Sequence, residues 1–332
     1  MKLSVPQNNE YAVSRLTALW ALNESGLGGI LHAAKFPFTG IFVGGFAVII
    51  ITLIAHYSNF SFKAILKATG VVLMIKAAVS PHSPFPAYLA VSFQGLFGAV
   101  IFSLTKNINY SSVIFGGIAL LESAIQKILL TVLFFGMSFW KALDGFVLDT
   151  LRVFNLSSDF SFSKWVAYCY VIAYFIIGII IGNFIRKIPN QILSLDFSCL
   201  LIDKNEMVKS KYGNKRKIGI YSLLVISILI SLFLPFKVLS SFVIWELVLR
   251  LVFFMLLFYY VIGPLTTKIV LMFSKGRMEE LSQVNKDIAE LRMVIKPLVY
   301  YIAKNYKGLS RLRMFVLYML AITLKDIREY NG

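Results

Sequence analysis

Uncharged stretches of about twenty residues alternate along this chain with short polar or basic segments. Phe36–Ala55, Trp165–Ile185 and Ile218–Phe236 contain no Asp, Glu, Lys or Arg. A bilayer hydrocarbon core of about 30 Å takes about 20 apolar residues at about 1.5 Å rise per residue, so each stretch is long enough to cross it. The pattern predicts an all-α polytopic membrane protein with about eight transmembrane helices. Their expected bounds are Tyr11–Ala34, Ile41–Tyr57, Ala64–Val79, Ala87–Thr105, Ser111–Phe139, Lys164–Ile185, Ile218–Phe236 and Ser241–Ile262. Asn23 and Glu24 interrupt the first. The segment Ser80–Pro86 carries three prolines, which remove backbone donors and exclude regular helix there. Trp140–Phe162 is mixed in character and is expected at the membrane interface.

The same pattern divides the chain. Residues 1–186 form a six-helix membrane bundle, 187–217 a basic cytoplasmic loop, 218–264 a two-helix membrane hairpin, and 265–332 a cytoplasmic amphipathic helical tail. In the tail, Leu281, Val284, Ile288, Leu291 and Ile295 recur at spacings of 3 and 4, which is one apolar stripe on a helix. The stripe packs either on a partner helix or on the tail's own apolar segment Met314–Leu324. That segment is too short to span a bilayer and is expected to lie docked or interfacial.

Composition agrees with this reading. The chain is 58% hydrophobic and 15% charged, with 29 Phe and a mean hydropathy of +0.77. Soluble domains carry about 25% charged residues. The formal net charge of +17 would suggest a nucleic-acid partner in a soluble protein. Here Lys and Arg lie where a membrane protein puts them, in cytoplasmic loops, and no nucleic acid is implied. With the N-terminus in the cytoplasm, 25 of the 33 Lys/Arg fall on that side and five on the other. The expected location is the cell membrane (an inner membrane), multi-pass, with both termini cytoplasmic. The N-terminus shows no short apolar core with a cleavage site, so the first span is expected to act as the signal. Cys169 and Cys199 form no disulfide or metal pattern.

No phosphate loop, H-E-x-x-H, G-x-S-x-G or paired Asp-rich motif occurs in the chain. His32, His56 and His82 are too dispersed to form one metal site. The chain is therefore expected not to be an enzyme, and no cofactor or metal is implied. The informative residues are polar side chains inside predicted spans, because each ionisable group there costs about 2.5–3.5 kcal/mol or more without a partner or cavity. Glu24, Lys76, Gln94, Glu122, Gln126 and Lys127, with His82 in the Pro-rich turn, are expected to line an outward-facing pocket for a small polar solute. Glu122 and Gln126 are four apart and share a face, and Lys127 lies about 140° from Glu122. Glu24 is the expected counter-ion of Lys127. Glu246 and Arg250, also four apart, are expected to neutralise each other.

Small residues make a second pattern. Ala18, Ala21, Ser25, Gly29 and Ala33 form a smooth stripe on the first helix, suited to close approach by a partner helix. Gly178 and Gly182 form a small-xxx-small pair expected to serve internal packing.

The small-residue first helix, from Ala18-Leu19-Trp20-Ala21 to Ala33-Ala34, is followed by a Pro37-Phe38-Thr39-Gly40 turn that begins the second. With six helices and both ends cytoplasmic, residues 11–186 resemble the substrate-binding S component of energy-coupling-factor importers. The resemblance implies a solute site in the outer half. It also implies a transmembrane coupling subunit docked on Ala18, Ala21 and Ala33, with ATPases supplying energy. Residues 218–332 extend beyond that family's usual six helices. The leading expectation is thus a solute-binding component of an importer without its own ATPase. A membrane scaffold recruiting a cytoplasmic partner and an intramembrane lipid-modifying enzyme are the alternatives.

Overall fold

The computed structural model describes residues 9–34, 38–80, 85–153, 161–193 and 278–324, with seven isolated positions between 253 and 268. The described chain is all helical, with no strand among the described residues. The helices are α1 (Asn9–Leu22), α2 (Gly28–Ala33), α3 (Gly45–Tyr57), α4 (Phe62–Val79), α5 (Phe85–Thr105), α6 (Ile108–Val153), α7 (Phe162–Ile185), α8 (Ile188–Leu193), α9 (Met278–Asn305) and α10 (Leu309–Leu324). Four described segments are long and apolar enough to cross a membrane: Gly40–Tyr57, Phe85–Thr105, Ile108–Arg152 and Phe162–Ile185. The expected seventh span and Glu246–Arg250 lie outside the described residues, as does nearly all of the expected eighth.

Helix α1 sits at the centre, surrounded by α3, α4, α9 and α10. Every residue from Arg15 to Ser25 is buried, and so is every residue from Ala47 to Ala55 of α3. A helix apolar on all faces belongs in an interior, and α3 occupies one. α7 runs against α6 along its length, and α5 bridges α4, α3 and α6. Two ends can be distinguished. At the tail end lie the start of α1, the α3–α4 turn, the start of α6, the end of α7, and the helices α8–α10. At the cavity end lie Glu24, the segment Gly40–Gly44, the end of α4, the start of α5 and the first turns of α7.

Two helical segments widen by one residue per turn, Asn23–Leu27 and Gly40–Gly44. The first coincides with the polar pair expected to interrupt the first helix. Such wide turns leave backbone groups out of register. Asn23 repairs one of them: its Nδ2 donates to the Val43 carbonyl at 3.0 Å, joining the two wide turns.

The α6–α7 contact depends on glycine. A Cβ at Gly178 would lie 2.2 Å from the Gly116 carbonyl oxygen, and one at Gly182 2.4 Å from that of Ser112. The expected small-xxx-small pair thus serves internal packing. Ser112 Oγ donates to the Gly182 carbonyl at 3.0 Å across the same seam. Further along, α6 differs from expectation. It breaks at Gly136 (φ 70°, ψ −179°), a conformation open essentially to glycine alone, then resumes and runs to Val153.

The tail helices are docked. Val284, Ile288 and Leu291 of the predicted stripe are buried, and α9 contacts both α1 and α10, so the two packings left open by the sequence both occur. Leu317 to Leu324 are all buried, which makes the short apolar segment a docked helix. Arg15 locks this assembly. It is 1% exposed, and Nη1 donates to Glu290 Oε2 at 2.6 Å and Asp287 Oδ1 at 3.4 Å, while Nε donates to the Thr323 carbonyl at 3.5 Å.

This geometry overturns the docking stripe. Ala18 and Ala21 are fully buried and Ser25 is buried too, covered by the chain's own helices. A Cβ on Gly29 would meet Ser80 Oγ at 3.5 Å, so this position also faces the chain's own α4 end. The Ala33 side chain lies outside what is described. Small residues here let α1 fit among its neighbours, and Ala18, Ala21 and Ser25 are covered by the chain itself.

Gly178→Ala is expected to destabilise the protein by about 1–3 kcal/mol or more, because the added methyl meets backbone that cannot rotate away. Gly145→Ala, where a Cβ meets nothing within 4 Å, is expected to be neutral or to stabilise by about 0.5–1 kcal/mol. Thermal unfolding in detergent measures both; equal midpoints for the two variants would contradict the close-approach account.

Candidate functional site

The cavity end encloses a space of about 540 Å³. The end of α1 and the two wide turns contribute Glu24, Gly40, Val43 and Gly44. Lys76 comes from the last turn of α4, and Pro86, Ala87, Ala90, Val91 and Gln94 from the first turns of α5. The middle of α6 supplies Ser123, Gln126, Lys127, Leu130 and Phe134, and α7 supplies Tyr170 and Tyr174. The volume falls within the roughly 300–1,000 Å³ of small-molecule sites, and an apolar lining with a few placed polar groups is their usual character.

Five of the seven residues expected from polarity meet here: Glu24, Lys76, Gln94, Gln126 and Lys127. The central polar element is an ion pair. Lys76 Nζ donates to Glu24 Oε2 at 2.8 Å, and the two side chains are 2% and 4% exposed. Lys76 also donates to the Ala87 carbonyl at 3.3 Å and lies 5.8 Å from the Tyr88 ring centre. The pair ties α1 to α4 and the start of α5. Nearby, Ser80 Oγ donates to the Ser25 carbonyl at 3.1 Å, and Gln126 Nε2 donates to the Pro86 carbonyl at 2.9 Å. The last bond ties the middle of α6 to the first turn of α5.

Two expectations are corrected. Glu24 neutralises Lys76, so it is not the counter-ion of Lys127; Lys127 is exposed and makes no ion pair among the described residues. Glu122 shares a face with Gln126 yet does not line the cavity. It is half-buried one turn deeper, with Oε2 enclosed and without a hydrogen-bond partner. His82 lies outside the described residues.

Sequence polarity missed Tyr170 and Tyr174. They are four apart on α7, their rings 4.5 Å apart, and the Tyr170 hydroxyl donates to that of Tyr174 at 2.8 Å. Tyrosine is common at membrane interfaces, so only the i, i+4 spacing distinguished this pair. Sequence polarity also missed Gly40 and Gly44, whose role is space. A Cβ on Gly44 would meet Gln94 Nε2 at 3.1 Å, and one on Gly40 would meet the Tyr174 ring at 3.3 Å.

Comparison with protein-family models, curated proteins and solved structures returns no match, so the reading of this cavity rests on its own geometry.

Lys76→Met leaves the Glu24 carboxylate buried and unpaired, and is expected to cost about 3–5 kcal/mol. Adding Glu24→Gln removes the stranded charge and is expected to restore most of that loss. A double-mutant cycle read by thermal unfolding checks this; additive losses in the double variant would show that the two side chains do not depend on each other.

Proposed function

We propose that this chain is a multi-pass protein of the cell membrane that binds a small polar solute in the cavity between α1, α4, α5, α6 and α7, as the solute-binding component of an importer whose energy comes from other subunits. The observation that carries this reading is the convergence of Glu24, Lys76, Gln94, Gln126 and Lys127 on one space of ligand size. Ionisable groups at membrane depth are costly, and a polar cavity is where they are retained.

The cavity end faces outward and the tail end inward in this proposal. Arg15, Lys63, Lys67, Lys106, Arg186 and Lys187 gather at the tail end, together with Arg311 and Arg313 of α10, and cytoplasmic surfaces carry the excess of Lys and Arg. The α1–α2 run and α4 also cross the membrane, inside the bundle. A helix shielded from lipid by its neighbours has no need of an apolar surface, so Arg15, Glu24 and Lys76 are compatible with crossing. With the two apolar stretches in 218–262, the proposed total is eight. A coupling subunit docks on a face other than the α1 stripe, which the chain itself covers.

Ala90→Trp fills the cavity from the α5 wall without adding charge. It is expected to abolish solute binding while leaving the unfolding midpoint near wild type. Untargeted mass spectrometry of small molecules released from the purified protein reads this out; a bound solute retained in Ala90→Trp would place binding elsewhere.

The orientation is tested on a background with Cys169 and Cys199 replaced by Ser. Lys164→Cys at the cavity end is expected to react with a membrane-impermeant maleimide in intact cells, and Lys106→Cys at the tail end only after lysis. The reverse pattern would invert the topology.

A further inference from the structure

We infer that the solute is a small organic carboxylate, held at its acidic end by Lys127 and at its other end by hydrogen bonds to Gln94 and Tyr174. This rests on the cavity reading and adds its charge class. Among the described residues, the ionisable lining groups apart from the tyrosines are Glu24, Lys76 and Lys127. The first two neutralise each other at 2.8 Å. Lys127 is exposed to the cavity mouth, with no acidic partner and no hydrogen bond from its ammonium group. Glu122 does not offset it, because five helical residues place it about 140° away around α6. The site therefore carries one uncompensated positive charge, which an anion complements.

The inner wall supplies the second contact. Gln94 is 2% exposed, it lines the cavity, and its carboxamide makes no hydrogen bond among the described residues. Gly44 lets that amide sit in the wall. The Tyr170 and Tyr174 hydroxyls share a hydrogen bond, and both residues line the cavity. Gln126 is engaged with the Pro86 carbonyl through its amide nitrogen. The lining thus places an ammonium at the mouth and an amide with a phenol deeper in. Leu130 and Phe134, one and two turns farther along α6, and the Tyr170 ring add apolar surface to the cavity wall.

Three one-ring probes separate the terms: benzoate, benzamide and benzylamine, measured by thermal shift on the full chain in phosphatidylcholine nanodiscs. Benzoate is expected to stabilise the wild type more than the neutral and cationic probes. Lys127→Gln is expected to weaken benzoate about tenfold and leave benzamide unchanged, with Lys127→Arg restoring benzoate. Benzamide or benzylamine matching benzoate, no binding by any probe, or benzoate binding intact in Lys127→Gln would overturn the inference. Benzamide that matches benzoate in the wild type and is lost in Ala90→Trp would show that the cavity reading stands while the charge class fails. A lipid phosphate is the other source of an anion for Lys127. If benzoate binding disappears when phosphatidylglycerol is included in the discs, Lys127 serves a lipid headgroup and the inference falls.

Discussion

A helix enclosed on every side must satisfy each of its polar groups from within its own chain, and α1 is such a helix. It carries Arg15, and the wide turn that continues it carries Glu24, about 13 Å further along at helical rise. Neither has water or lipid headgroups to turn to. Arg15 takes Asp287, Glu290 and the Thr323 carbonyl, and Glu24 takes Lys76. Much of the architecture follows. The tail helices must dock on α1 because they supply the Arg15 partners from residues more than 270 positions away. The end of α4 must reach the end of α1 because an unpaired carboxylate there is prohibitively costly.

The cavity arises where this enclosure is imperfect. The wide turns at Asn23–Leu27 and Gly40–Gly44 push backbone out of helical register where they meet each other, α4 and α6. Asn23 uses one amide arm on Val43 and leaves Oδ1 buried without a partner. Regular helix packing would fill this region with side chains; wide turns and glycines leave space instead. Helical irregularity of this kind is common at functional sites. The polar groups that line it are costly to hold at membrane depth, which is the argument that they bind something.

The same enclosure accounts for the expectations that failed. A smooth stripe of small residues permits close approach without saying whose helix approaches, and here it is the chain's own α3, α4, α9 and α10. Charge pairing across helices was assigned by sign and depth alone, which gave Glu24 the wrong lysine. Lys76 and Lys127 are both cations in the same half of the bundle, and only the rotation of α4 and α6 about their axes decides which one reaches Glu24. Glu122 fell outside the cavity for the same reason, although its neighbour at i+4 lies inside.

Hydropathy and periodicity alone made the helical class, the bounds of the first six helices within a few residues except the far end of α6, the buried tail stripe and five of the seven candidate cavity residues legible. These are properties of single elements: apolar length, spacing on one face, and the cost of charge in an apolar run. Tertiary structure decided that α1 is interior, that Arg15 joins the two ends of the chain, that Tyr170 and Tyr174 complete the cavity wall, and that Glu24 belongs to Lys76. Each of these depends on helix rotation and on contacts between distant segments. A one-dimensional pattern records which groups need partners; only the packing of helices against one another assigns them.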